Sequence, residues 1–92
     1  MLKKDLVIIP TYNEAINSNL IYRKIRATNT HSEILFIDDN SPDNTSLVVN
    51  EIINNDKKVH LINRIKKLGI GSAHKEGFVW AKKNKFDYVT TI

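Results

Sequence analysis

Two runs of consecutive apolar residues, Leu6-Val7-Ile8-Ile9 and Ile34-Leu35-Phe36-Ile37, constrain this chain more than anything else in it. Neither run alternates with polar residues, and a strand that is apolar on both sides must be covered on both faces. Two further runs follow, Val59-His60-Leu61-Ile62 and Tyr88-Val89-Thr90-Thr91-Ile92. Between the four lie stretches whose apolar residues recur at helical spacing. The first holds Ile16, Leu20, Ile21 and Ile25, the second Val48, Val49, Ile52 and Ile53, and the third Ile70, Ala73, Gly77, Trp80 and Ala81. The order βαβαβαβ predicts an α/β fold: a parallel sheet of about four strands, three helices and right-handed crossovers.

At 92 residues the chain holds at most one folding unit, which excludes a two-domain enzyme. The absence of Cys removes disulfides, CxxC redox chemistry and thiolate metal sites. Lys and Arg number 14 against 10 Asp and Glu, a net charge of +4 that suits an anionic ligand without requiring one. The longest apolar run, Leu6 to Pro10, is far short of the roughly 20 residues that cross a bilayer. Met1 to Asp5 lead into that run without a small-residue cleavage site, so no signal peptide is expected. These features predict a cytoplasmic chain, at the cytosolic face of a membrane if it meets one. Membrane contact would then come only through other parts or a partner, and no nucleic-acid partner is expected. Because the sequence stops at Ile92 inside an apolar run, before the loop in which α/β proteins bind ligands, a fragment is expected.

Three segments carry chemistry. The first strand runs into Pro10-Thr11-Tyr12-Asn13-Glu14, where Pro10 cannot donate to a sheet ladder and so marks the strand's end. The Tyr12 ring can cover a base, and the Glu14 carboxylate can accept hydrogen bonds from base or ribose. Capping of the next helix by Asn13 and Glu14 accounts for the same residues equally well. The second strand ends in Ile37-Asp38-Asp39-Asn40-Ser41-Pro42-Asp43-Asn44-Thr45. Adjacent residues leaving a strand point to opposite sides, so one of Asp38 and Asp39 anchors the loop and the other reaches the crevice. Ser41, Pro42 and Asp43 read as turn and cap residues, with Pro at a first helical position.

The third segment, Arg64-Ile65-Lys66-Lys67-Leu68-Gly69-Ile70-Gly71-Ser72-Ala73, sets three cations and two glycines at a helix entrance, a ready anion site. It is neither a dinucleotide fingerprint, which would follow the first strand, nor a GxxxxGK[ST] loop. His31, His60 and His74 are too scattered in sequence to nominate a metal triad and read as structural or solvated. Trp80 and Phe78 read as core residues of the third helix.

Taken together and in order, these three segments resemble the inverting family 2 glycosyltransferases, with the dolichol-phosphate mannosyltransferase branch the most similar. Lys75-Glu76-Gly77-Phe78 and Phe86-Asp87-Tyr88-Val89 extend the resemblance over nearly the whole chain. It implies the Rossmann-like N-terminal half of a GT-A fold, with strand order 3-2-1-4, and makes residues 1–92 the donor-nucleotide-binding part of a larger domain. By resemblance, Pro10, Tyr12, Glu14, Ile37 and Asp39 contact the base and ribose of a nucleotide-diphosphate sugar, GDP-mannose favoured, and Asp38 anchors the loop. The family's metal-binding Asp-x-Asp motif would follow just after Ile92. No catalytic or metal-binding residue is therefore expected within the chain, and Mg or Mn would belong to the complete enzyme. Two departures from the family pattern are Asn44, where Gly is usual, and His74, where Tyr is common. Asn tolerates a left-handed turn better than most residues.

The function so implied is transfer of a hexose, mannose from GDP-mannose, to a polyprenyl or dolichyl phosphate, the 92-residue chain alone being inactive. Rival readings are a family 2 enzyme using a UDP-sugar and a non-catalytic nucleotide-binding module. A phospho-acceptor signalling domain would carry its acidic pair after the first strand, whereas here the pair follows the second.

Overall fold

A computed structural model describes residues 3–65 and 68–92. In chain order it contains β1 (Asp5–Thr11), α1 (Ala15–Thr28), β2 (Glu33–Asp38), α2 (Thr45–Asn55), β3 (Val59–Asn63), α3 (Ile70–Lys83) and β4 (Tyr88–Thr91). The four strands form one sheet in the order β3-β2-β1-β4, and every neighbouring pair is parallel. This is the expected topology.

The continuous apolar runs of β1 and β2 are shared between two layers by the two-residue period of a strand. Leu6 and Ile8 of β1 and Leu35 and Ile37 of β2 pack on one face with Ala73 and Ala81 of α3. Ile9, Ile34 and Phe36 pack on the other with Val49 and Ile52 of α2 and Val59 of β3, and Ile21, Tyr22 and Ile25 of α1 close over them. Burying one such aliphatic or aromatic side chain contributes about 1.5–3 kcal/mol, so these two central strands dominate the core. Gly77 lets α3 sit directly on β1: a Cβ built there would lie 2.6 Å from Ile8 Cδ1 and 2.9 Å from Ile8 Cγ2.

The helical stripes differ in part from the sequence expectation. Ile16 and Leu20 are 79% and 50% exposed. The residues of α1 that meet the core are Ile21, Tyr22 and Ile25, and at about 100° per residue Leu20 and Ile16 lie a quarter turn or more from that face. On α3, Phe78 is 49% exposed because Gly77, one residue earlier, takes the contact with the sheet, and Ile70 is exposed at the helix's first turn. Trp80 does pack against the core, its ring 5.7 Å from Phe86 and 5.0 Å from His60. His60 in turn pairs with Glu33 at 2.7 Å, a structural role as expected.

Candidate functional site

The carboxyl ends of β1 and β2 deliver the two acidic loops to one edge of the sheet, and those loops hold each other. At the start of α1 the Asn13 N–H donates to Ser41 Oγ (2.9 Å), the Glu14 N–H to Thr45 Oγ1 (3.1 Å) and the Ala15 N–H to Asp43 Oδ2 (3.3 Å). The approach to α1 and its first free amide, that of Ala15, are thus held from across the sheet by the β2–α2 loop and the first residue of α2. Capping by Asn13 and Glu14, the alternative kept open from sequence, is not what is found: Glu14 makes no side-chain cap bond, and its Oε2 accepts from Asn17 Nδ2 at 2.8 Å. Asp43 also accepts the Thr45 N–H and the Thr45 hydroxyl, and the hydroxyl contributes most to holding its carboxyl below the ordinary range. Pro42 precedes the first residue of α2, Thr45, by three positions, so it is a turn residue and not the first helical one. Asn13 and Asn40 occupy the left-handed region, both at φ 56°, whereas Asn44 at φ −90° needs no such tolerance.

Asp38 and Asp39 diverge as their adjacency requires. Asp38 Oδ1 accepts from Thr11 Oγ1 (2.7 Å) and Ser41 Oγ (2.6 Å), and its Oδ2 accepts the Ser41 N–H (2.9 Å), which makes it the anchor of its own loop. Asp39 turns to the α3 side. Its Oδ1 accepts from Arg64 Nε (2.5 Å), and its Oδ2 accepts the N–H groups of Leu68 (3.1 Å) and Gly69 (3.0 Å). Burial works against the charge on Asp39, yet the Arg64 hydrogen bond and the Gly69 and Leu68 amides outweigh it and hold the carboxyl below its usual range.

The anion site expected at the entrance to α3 is therefore filled by the protein's own Asp39. Arg64, only 6% exposed, also donates to Ser72 Oγ (2.9 Å) and to the Gly69 carbonyl (3.0 Å), so its guanidinium is turned away from any phosphate. Lys66 and Lys67 lie outside the described residues.

Pro10, Thr11, Tyr12, Glu14, Asp39, Gly69 and Ile70 line a cleft of about 240 Å³ at this edge. Four of the five residues expected to contact nucleotide meet there. The fifth, Ile37, is adjacent but wholly buried in the core, so its side chain does not reach the cleft. Thr11, Gly69 and Ile70 also line the cleft; sequence reasoning quoted Thr11 and Ile70 within their motifs without a role and read Gly69 as part of an anion site, and the signal for Gly69 was glycine itself, which at φ 95° adopts a backbone that other residues resist. The cleft presents carboxylate acceptors and an aromatic ring and no free cation among the described residues, which fits N–H and O–H donors of a base or ribose better than a phosphate. Its volume is below the roughly 300–1,000 Å³ of complete small-molecule sites, as for one part of a larger site.

A larger groove of about 580 Å³, lined among others by Lys3, Asn29, His31 and Lys58, lies at the opposite, amino-terminal end of the strands. The carboxyl ends are where open α/β sheets take their ligands, and the smaller cleft has the chemistry. Among the described residues no three His, Asp or Glu side chains are grouped to hold a metal ion. Asp38 and Asp39 face apart and are hydrogen-bonded within the fold, so these residues do not fit Mg or Mn.

The glycosyl transferase family 2 model matches residues 6–92. The chain belongs to that family. This family 2 chain is 38% identical over 91 residues to the polyprenol monophosphomannose synthase of Mycolicibacterium smegmatis, covering 98% of itself and 34% of that protein. It is 37% identical over 87 residues to the undecaprenyl-phosphate mannosyltransferase of Micrococcus luteus, covering 95% of itself and 36% of the relative. The chain thus spans about a third of the length of these relatives. Among solved structures it is similar to the mannosyltransferase PcManGT from Pyrobaculum calidifontis, in complex with GDP-Man and Mn2+. That likeness has a TM-score of 0.70 and 23% identity over 88% of this chain and 25% of the other, and supports the Rossmann-like GT-A fold.

Proposed function

We propose that this chain is the donor-nucleotide-binding part of a glycosyltransferase that moves mannose from GDP-mannose to a polyprenyl phosphate at a cytosolic membrane face. In that reaction a phosphate oxygen of the lipid forms a bond to the anomeric carbon, and the bond from that carbon to the β-phosphate oxygen of GDP breaks, so that GDP leaves. The residues of this chain bind and orient the nucleotide. The Tyr12 ring covers the base, Glu14 and Asp39 accept hydrogen bonds from base and ribose, and Pro10 shapes the wall between them. A divalent metal, as in the Pyrobaculum protein, would be held by residues beyond those described here.

The observation that carries the reading is the meeting of Pro10, Tyr12, Glu14 and Asp39 in one cleft at the carboxyl ends of β1 and β2. The two curated relatives supply the sugar and the acceptor class. Calorimetric titration of the chain with GDP, with UDP and with ADP tests it. Tighter binding of GDP is expected, because guanine offers an endocyclic N–H where adenine has an acceptor nitrogen. Equal affinities would refute the donor assignment, and preference for UDP would move it to the UDP-sugar enzymes of the family.

A further inference from the structure

We infer that Arg64 is a positioning residue for nucleotide recognition: by clamping Asp39 it leaves that carboxylate a single acceptor site, on Oδ1, for one N–H of the base. The inference rests on the nucleotide reading above and adds a residue and a stereochemical rule to it.

An ionised carboxylate offers about four acceptor sites, two on each oxygen. Asp39 has three of them occupied: Oδ2 takes the N–H groups of Leu68 and Gly69, and Oδ1 takes Arg64 Nε. With respect to the described residues Oδ1 alone has a site left, and Asp39 lines the cleft. The clamp is itself rigid. Arg64 is held by Ser72 Oγ and the Gly69 carbonyl, with Glu76 Oε1 at 3.6 Å, and its own N–H donates to the Asp38 carbonyl at 2.8 Å. The guanidinium cannot rotate to a new partner without breaking several contacts, and so the open acceptor keeps one direction. A carboxylate in this state accepts one donor and donates none: guanine and uracil can meet it with an endocyclic N–H, whereas adenine, whose endocyclic nitrogens are all acceptors, can meet it only through its exocyclic amino group and must be turned to do so.

Among the described residues, the charged and titratable groups around Asp39 are Arg64 leaving β3, Glu76 of α3 beyond it, the adjacent Asp38 turned into its own loop, and Tyr12 and Glu14 of the β1–α1 loop across the cleft. Removing Arg64 leaves the burial of Asp39 opposed by two amides only, so the carboxyl protonates at a higher pH than in the intact protein. A protonated Asp39 loses its full acceptor strength, and nucleotide binding then weakens as the pH falls through that raised value.

The test uses the whole chain, with GDP as ligand, in wild type, Arg64→Met and Arg64→Lys, each first confirmed as folded by circular dichroism. The Asp39 carboxyl is titrated by carbon NMR without nucleotide, and GDP affinity is measured between pH 5 and 8. Wild-type affinity is expected to be flat over that range. Arg64→Met should bind GDP about tenfold more weakly at pH 7, with a further decline towards pH 5, and its Asp39 should titrate above the wild-type position. Arg64→Lys keeps the charge without the fork, and should restore the Asp39 titration but only part of the affinity. Arg26→Met, which breaks the Arg26–Asp56 pair elsewhere in the fold, should lower stability and leave the GDP profile unchanged.

A folded Arg64→Met protein whose GDP affinity lies within twofold of wild type, with the same pH profile, overturns the inference. So does an unmoved Asp39 titration in that variant. If Arg64→Met does not fold, a folded Arg64→Lys protein with unaltered GDP affinity overturns it instead. Failure of the wild type to bind GDP overturns the nucleotide reading, and the Asp39 titration then decides the clamp by itself.

Discussion

At the scale of single residues, the acidic pair divides its work between two faces of the sheet. That Asp38 and Asp39 diverge was legible, because neighbours leaving a strand always do. That Arg64 would be the partner of Asp39 was not, since 25 residues separate them and nothing local tells which of three nearby cations folds inward. The way the start of α1 is held was hidden for the same reason: Ser41, Asp43 and Thr45 reach the Asn13, Ala15 and Glu14 amides only once β1 and β2 are paired. Two buried or partly buried carboxylates, Asp39 and Asp56, have pKa values held below the ordinary value against the opposing effect of burial, Asp39 chiefly by Arg64 and Asp56 chiefly by Arg26. A carboxyl whose pKa is depressed in the folded state stabilises the fold above its unfolded value, about 3.9, and that contribution is lost as pH falls through the folded value. Urea denaturation is therefore expected to show stability steady from pH 7 to 5 and falling below about pH 4. In Asp56→Asn the acid-dependent part should shrink, and an unchanged pH profile in that variant would contradict the assignment.

At the scale of elements, the strands were readable because a run without polar interruption has one solution, burial on both faces. The helices were readable as helices but not in their rotation. Ile16, Leu20, Ile70 and Phe78 fit an apolar stripe in sequence, and the sheet's own geometry decided that they face outward. Gly77 is the position where sheet and helix constrain each other most. Intrinsic propensity says that Gly77→Ala should stabilise α3 by up to about 1 kcal/mol. A methyl 2.6 Å from Ile8 Cδ1 and 2.9 Å from its Cγ2 says the opposite, because the second atom sits next to Cβ and cannot swing away. Overpacking of this kind costs about 1–3 kcal/mol and is expected to win. Chemical denaturation of Gly77→Ala should show a net loss of stability; a gain would mean that α3 lifts off β1 more easily than this packing implies.

At the scale of the whole molecule, the order β3-β2-β1-β4 places α1 and α2 on one face and α3 on the other, so each face is covered only in part. Tyr88 on the edge strand β4, Ile92 just after it, and Leu20 and Ile16 of α1 are at least half exposed. Apolar edges of this kind template association. The 92-residue chain is expected to elute above its monomer mass in size-exclusion chromatography at micromolar concentration, and Tyr88→Lys to shift it towards the monomer. A monodisperse wild-type monomer would show that these residues are harmless in solution.

The same topology brings the loops after β1 and β2 together at one end of the sheet, while a larger groove opens at the other. Amide chemical-shift mapping of the isotopically labelled chain during GDP titration separates the two ends directly. The account predicts that Thr11, Tyr12, Glu14, Asp39, Gly69 and Ile70 shift together with one dissociation constant. Shifts confined to Lys3, Asn29, His31 and Lys58 would contradict it, because the nucleotide would then sit at the amino-terminal end of the strands.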